Sequence, residues 1–534
     1  MVDRPRRAAT LLNILLLIFF AATAAIAGPR SGISPEAQTE RYFESIRNDS
    51  TLLTAFLLDM PKGGDLHNHL SGAIYAETLI DWAAAKGSCV DPGTFVLSAP
   101  PCADPEVLAS TAYSHPVLYR EMVDAFSMRN WQLSGQSGHD HFFDSFGKFD
   151  AAIHGNTGRM LAETANRAAS QREVYQEVMF TPTGQSFSNM LGADALTAVT
   201  LSDDVTSQTL AALRTALGAN GLQQAVGDAI RQTNEAEKVR DSEMRCGAPD
   251  ATPGCQVVQR YLFQVLRGLP KEIVYAQMVL GFELAMADPR FVGLNMVMPE
   301  DYYVPMHDFP LHMRMLQYLH NQYPNVHVTL HAGELVKGLV PPEGLRFHVR
   351  ESVEIAGAER IGHGVDTLNE SNSLELLGEM AKKNVMVEIC LTSNDVILGV
   401  RGSNHPLHDF MRAGVPVALA TDDEGVSRSD MTHEYLKGVE DQNLSYSELK
   451  HMARTSLEHA FLKGTSLWSD GKAFVPVKEC AGIQSGAAPP TPCQRLFDGS
   501  EKARLQWKLE QQFREFESTK WPSVIVQNSR PTAH

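Results

Sequence analysis

Basic side chains are in short supply: 46 Lys and Arg face 63 Asp and Glu in 534 residues, a formal net charge of −17. That balance argues against a nucleic-acid backbone or an anionic membrane surface as partner, since both are bound through clustered cations. Beyond residue 30 no apolar run reaches the roughly 20 residues that cross a bilayer. No glycine-rich phosphate loop follows the first strand-like run, which removes the main signal for a nucleotide-binding open sheet. Cysteine is sparse at 7, while apolar residues make up 43%, so a hydrophobic core rather than a disulfide scaffold must hold the chain. A neutral or cationic small molecule is the partner this composition accommodates.

The amino terminus is the exception to this ordinary composition. Arg4, Arg6 and Arg7 precede an apolar run from Leu11 to Ala22, and Ala25-Ile26-Ala27 follows. This is the pattern of a secretory signal peptide over residues 1–27 with A-x-A cleavage, an uncleaved anchor being the alternative. The mature protein is then expected to be secreted or periplasmic, with no membrane attachment. Six of the cysteines fall into local couples, Cys89 with Cys102, Cys246 with Cys255 and Cys480 with Cys493, which fits disulfides in an oxidising compartment. Cys390 is left over inside the apolar run Val385 to Leu391 and reads as a small buried thiol.

Past a helical arm over residues 28–60, short strand-like runs alternate with amphipathic stretches. The strand candidates are Lys62 to Leu70, Glu173 to Phe180, Gln259 to Arg267, Phe291 to Met298, His327 to His331, Arg360 to His363, Val385 to Leu391 and Pro416 to Thr421. Helix candidates include Ile74 to Lys86, Lys271 to Ala287, Phe309 to Gln322, Leu345 to Ala356 and Leu374 to Lys383. Eight such units predict a (β/α)8 TIM barrel over residues 61–465, with a doubly wound sheet as the alternative. Two stretches are too long for plain connections and read as insertions, residues 87–115, expected to overhang the site, and residues 181–253. Residues 466–534 read as a loop-rich tail with a helix near Glu501 to Ser518.

The chemistry sits at predicted strand ends. His67 and His69 are two apart on the first strand, so both point to one face; His331 ends the fifth strand and Asp422 the eighth. In a barrel these carboxyl ends meet, and three His with one Asp suit Zn²⁺ with a water as a further ligand. Zinc lowers the pKa of that water to about 7 and supplies hydroxide without a Ser or Cys nucleophile. His363, between Gly362 and Gly364, is placed to orient the water and hold its proton. Glu334, three residues past His331, can donate a proton to a substrate ring nitrogen, and Asp423 is a candidate acceptor from a substrate N–H. A packed core histidine remains the plain alternative for His363.

Five segments carry a family resemblance: Met60-Pro61-Lys62-Gly63-Gly64-Asp65-Leu66-His67-Asn68-His69, His331-Ala332-Gly333-Glu334, Arg360-Ile361-Gly362-His363-Gly364, Val387 to Asn394, and Thr421-Asp422-Asp423. They resemble the metal-dependent adenosine deaminases, and the leader and arm resemble the secreted, growth-factor-like branch. The resemblance implies one zinc per chain on His67, His69, His331 and Asp422, Glu334 as proton donor to purine N1, His363 orienting the water and Asp423 at N7. It implies a purine nucleoside as substrate, inosine and ammonia as products, and a homodimer through the arm. Ser71 stands where relatives carry an Asp, Met298 where they carry a Gly against purine N3, and Glu424 where a Pro is usual. Phe142 and Phe146 resemble the family's apolar wall over the nucleoside, with helix core as their alternative duty. Another 6-aminopurine substrate, a catalytically silent binding relative and a different metal hydrolase remain the rival readings.

Overall fold

All eight strand candidates become strands of one parallel sheet in a computed structural model that describes residues 33–191, 201–483 and 488–519. They are β1 Gly63–His69, β2 Glu173–Phe180, β3 Val258–Leu266, β4 Phe291–Val297, β5 His327–Ala332, β6 Arg360–His363, β7 Met386–Ile389 and β8 Val417–Leu419. Spatial order follows chain order, and every neighbouring pair is parallel. The sheet closes through the Asn68–Asp422 bridge, where Asp422 N–H donates to His67 O at 2.8 Å and His69 N–H to Asp422 O at 3.2 Å. Closure is therefore stitched by the residues assigned to the metal. The protein is a (β/α)8 barrel. β4 and β8 are buried throughout and read as largely apolar runs, while β1 and β2 are equally buried although polar residues interrupt them.

The barrel interior also carries charge. Arg360, fully buried on β6, donates to Glu177 at 2.5 Å and to Glu388 at 2.6 Å, with the Phe461 ring 3.8 Å from its guanidinium. A buried cation is tolerated here because two carboxylates and the His459 carbonyl satisfy it.

Outside the barrel, helices α1 Pro35–Ile46 and α2 Ser50–Asp59 form the visible arm. Their apolar residues Phe43, Ile46, Leu53, Phe56 and Leu57 are buried within their own chain, each contributing about 1.5–3 kcal/mol by burial. Phe56 meets Tyr446 on α5 Tyr446–His459 and Phe516 on α6 Glu501–Glu517, the carboxyl-terminal pair of helices. Helix α3 Gly138–Ile153 crosses the top of the barrel, and α4 Thr157–Ser170 leads into β2. The carboxyl-terminal pair packs together through Arg454–Glu510 and Tyr446–Glu517 bonds. All three local cysteine couples are disulfides, with Cα separations of 5.3, 5.6 and 5.0 Å, and Cys390 is buried and free. No described helix is long and apolar enough to cross a membrane. The expected leader over residues 1–27 lies outside the described residues.

Two expectations change. Leu345 to Ala356 is not one helix: a 3₁₀ turn Pro342–Leu345, an α turn His348–Glu351 and a π turn Ser352–Ala356 replace it. The Glu370 carboxylate accepts the Val349 and Arg350 N–H groups, at 2.5 and 3.0 Å, and starts the helical turn only there. Residues 87–115 fold as a small antiparallel sheet, Leu97–Ser98, Cys89–Val90 and Val107–Leu108, and contribute nothing to the wall of the site cavity described below. The overhang comes instead from α3.

Candidate active site

The carboxyl ends of the strands open into a cavity of about 360 Å³ lined by His69, His331, Glu334, Asp422 and Asp423, with Phe142, Phe143, Phe146 and Phe149 of α3 as its roof. Phe142 is fully buried and Phe146 partly so, and each serves both the helix core and the roof. Helix α3 is held over the opening by His139 Nε2, 2.9 Å from Asp301 Oδ1. Ser71, Met298 and Gln264 complete the wall. A larger groove of about 760 Å³, lined by Glu448, His451, Glu458 and Lys472, lies at the start of β8 and holds none of these residues.

On the cavity floor, His331 Nε2 stands 3.0 Å from His67 Nε2 and 3.1 Å from His69 Nε2. Asp422 Oδ1 is 3.4 Å from the former and 3.2 Å from the latter. Behind each ring an acceptor faces Nδ1: Glu388 Oε2 at 2.6 Å for His67, Gln264 Oε1 at 3.0 Å for His69 and Asn295 Oδ1 at 2.9 Å for His331. Asn295 Oδ1 also accepts the His331 N–H at 3.0 Å, so its amide cannot turn round. With Nδ1 donating outward, three Nε2 lone pairs and a carboxylate oxygen converge on one point. Such a set repels itself without a cation, and its spacings match the about 3.3 Å edges of a tetrahedron with 2.0–2.1 Å metal–nitrogen bonds. The buried His and Asp residues could thus hold a metal ion.

Three of the site residues adopt left-handed backbone conformations: Met298 at φ +91°, His363 at +68° and Asp422 at +60°. Each costs on the order of 1–2 kcal/mol for a residue with a Cβ, and the cost is met at strand ends where side chains must turn into the cavity. Met298 manages it by laying its sulfur on the Gly268 N–H, 3.3 Å away. Gly72 is required for the opposite reason, since a Cβ there would fall 1.6 Å from Asp423 Oδ1.

Burial sets the protonation of the acids. Glu334 is raised well above the usual carboxyl range, first by burial and then by the Asp422 and Glu300 charges, and its Oε1 lacks a hydrogen-bond partner. Glu300 accepts the Gly333 and Glu334 N–H groups at 3.1 and 2.9 Å and fixes the loop beneath that carboxyl. Burial lifts Asp423 to about 8, and its Oδ1 is likewise unpartnered. Burial thus favours the protonated form of both carboxyls, which for Asp423 means a donor rather than the acceptor expected from sequence. Glu388 is held at about 2: burial pushes it up, and Arg360 and His67 more than offset that.

Of the residues given a place in the site from sequence, all but Glu424 line this cavity or stand among its buried ligand-type groups. Glu424 turns away and pairs with Arg167 of α4 at 3.0 Å. The residues behind the rings, Glu388, Gln264, Asn295 and Asn394, were not assigned duties from sequence. Glu388 offered one signal, a carboxylate inside the apolar run of β7.

The adenosine deaminase family model matches residues 104–466, well over half of the chain. His67 and His69 precede that match, and the barrel brings them to the same point as His331 and Asp422. Adenosine deaminase of Escherichia coli (strain SE11) is 36% identical over 137 residues, 26% of this chain and 38% of that protein. The Shewanella loihica adenosine deaminase is 35% identical over 152 residues, 28% of this chain and 41% of that protein. These alignments thus span about two fifths of the curated relatives' length. The N6-methyl-AMP deaminase of Arabidopsis thaliana overlays on 77% of this chain and 94% of its own, with 20% identity and a TM-score of 0.49. From the family match and the cavity floor together, the chain belongs to the adenosine deaminase family.

Proposed function

We propose that the protein is a zinc aminohydrolase that converts adenosine or 2′-deoxyadenosine to inosine or 2′-deoxyinosine and ammonia. One observation carries this reading: a metal-type donor set and two buried carboxyls with unpartnered oxygens, Glu334 and Asp423, share a cavity walled by phenylalanines. His67, His69, His331 and Asp422 would hold the zinc, which when bound supplies a water acidic enough to attack at neutral pH. Glu334 donates its proton to a purine ring nitrogen, which then accepts the C6–N π electrons as C6 is attacked. Asp423, protonated, donates to N7, an acceptor that an ionised carboxylate would repel. The phenylalanine roof covers the base and excludes bulk water.

Charge argues for a nucleoside over a nucleotide. No Lys or Arg lines the cavity among the described residues, and Asp150 stands in its wall. A phosphate there would meet repulsion and no cation. The leader-like residues 1–27 and three disulfides support action outside the cytosol, in periplasm or medium, as in the secreted growth-factor-like branch.

Conversion to the 6-oxopurine, followed by the change in ultraviolet absorbance across a panel of adenosine, 2′-deoxyadenosine, adenine, N6-methyladenosine and AMP, tests the reading. Adenosine or its deoxy form should lead, with kcat/KM for AMP lower by about 100-fold, the worth of two to three kcal/mol of misplaced charge. Preference for adenine or N6-methyladenosine would assign the narrowing by Met298 to a different aminopurine. Silence on every purine would defeat the enzymatic reading.

A further inference from the structure

His363 differs from the three floor histidines in what stands behind it. Its Nδ1 meets Asn394 Nδ2 at 3.0 Å, and Asn394 Oδ1 meets His405 Nε2 at 3.1 Å. His405 Nδ1 in turn accepts the backbone N–H of Leu407 at 3.2 Å. All three side chains are buried, at 0% exposure for His363 and Asn394 and 2% for His405.

A backbone N–H can only donate, so this chain has a direction. Leu407 makes His405 Nδ1 an acceptor, which puts the His405 proton on Nε2. That proton requires an oxygen on Asn394, which turns the amide nitrogen toward His363. His363 Nδ1 must then accept, and its own proton sits on Nε2. Turning the Asn394 amide over would set His405 Nδ1–H against Leu407 N–H, two buried donors face to face, each left unsatisfied at a cost of about 1–3 kcal/mol. His363 Nε2 itself is buried and has no hydrogen-bond partner, and one ring nitrogen of His363 lies within 4.8 Å of the ligand atoms of His67, His331 and Asp422.

We propose that Asn394 and His405 are positioning residues, which lock His363 in the Nε2–H tautomer so that it donates a hydrogen bond at the reacting centre and is barred from becoming a further metal ligand. A ring nitrogen that carries a proton has no lone pair for a metal, and the donated bond suits the oxygen that attacks C6 and bears charge as the adduct forms. The duty of His363 is then donation rather than removal of the water's proton. The inference rests on the deaminase reading for its catalytic meaning and on hydrogen-bond direction for the tautomer.

The two are tested separately. In the full-length protein labelled with ¹⁵N-histidine, long-range ¹H–¹⁵N couplings distinguish the neutral tautomers, and the His363 signal, identified by its loss in His363→Ala, should show Nε2–H. Asn394→Leu should give a mixture of tautomers and lower kcat by about 100-fold with KM changed less than about three-fold. His405→Phe, similar in size but mute, should lower kcat by about ten-fold. His405→Gln, whose amide can accept from Leu407 and donate to Asn394, should restore it to within about three-fold of the parent. Nδ1–H on His363 in the parent protein overturns the proposal, as does a parental kcat in both Asn394→Leu and His405→Phe. If those variants fail to fold, the tautomer in the parent decides alone. A parent that shows Nε2–H but releases no ammonia sinks the deaminase reading and leaves the hydrogen-bond assignment standing.

Discussion

The two sides of the cavity floor use the same side chain for opposite ends. On the ligand side, His67 and His69 of β1 and His331 of β5 each have an oxygen behind Nδ1, from Glu388 of β7, Gln264 of β3 and Asn295 of β4, which strips the proton from the other ring nitrogen and leaves a lone pair. On the donor side, His363 at the end of β6 has the Asn394 amide N–H behind Nδ1, which leaves the proton on Nε2. All four rings sit at strand ends within a few ångströms of one another, so distance alone would class them together. The group behind the ring, not the ring, decides between ligand and donor.

The sharpest way to break that comparison is to remove one function and ask whether the other survives. Asp422→Ala deletes the only anion among the four donors and should leave protein without bound transition metal and without turnover, measured by elemental analysis and ammonia release. Glu334→Gln keeps the donor set intact and should bind metal as the parent does while kcat falls by about 10²–10⁴-fold, the usual worth of a general acid. Metal loss in Glu334→Gln would place that residue on the wrong side of the comparison.

The next largest effect belongs to Glu388. It accepts from His67 Nδ1, from Thr329 Oγ1 at 2.9 Å and from Arg360, in a site sealed from water. Glu388→Gln removes the charge that makes His67 a strong ligand and leaves Arg360 with Glu177 alone. Metal affinity, read by competition with a chelator, should drop by about 10–100-fold, with a lower Tm. Unchanged affinity would mean that the carboxylate serves Arg360 and not the metal side.

Why the ligands were legible in the sequence while the residues behind them were not follows from where each sits. His331 and Asp422 are polar residues at the ends of apolar strands, positions where polarity has no structural excuse, and the barrel brings such ends together. Glu388 lies 321 residues from His67, so nothing local links them. Asn394 and His405 sit in the segment after β7, where Asn and His are ordinary, and only the direction of the chain from Leu407 gives them meaning. The left-handed backbone at Met298 was equally silent, and at His363 and Asp422 the enrichment of His and Asp at positive φ is too small a signal to single out one position among many. The broken helix at 342–356 has the same lesson in reverse: apolar spacing survives there, but the Glu370 carboxylate decides where the helical turn begins.

Gln264 gives the smallest effect and the finest test of the comparison. It does for His69 what Glu388 does for His67, accepting from Nδ1, but it is neutral and only half-buried, and the His69 side chain is 10% exposed where that of His67 is 0%. Gln264→Leu removes the acceptor without stranding a buried charge, and water can reach the orphaned Nδ1–H at the cavity edge. Metal affinity should fall by about three-fold, short of the 10–100-fold typical when a ligand's outer partner is lost from a sealed site. If Gln264→Leu costs as much as Glu388→Gln, then the presence of an acceptor ranks the two positions and its charge and burial do not. A graded result would show that the ligand side of the floor is itself uneven, anchored at β1 and β7 and softer at β3, where the cavity opens to substrate.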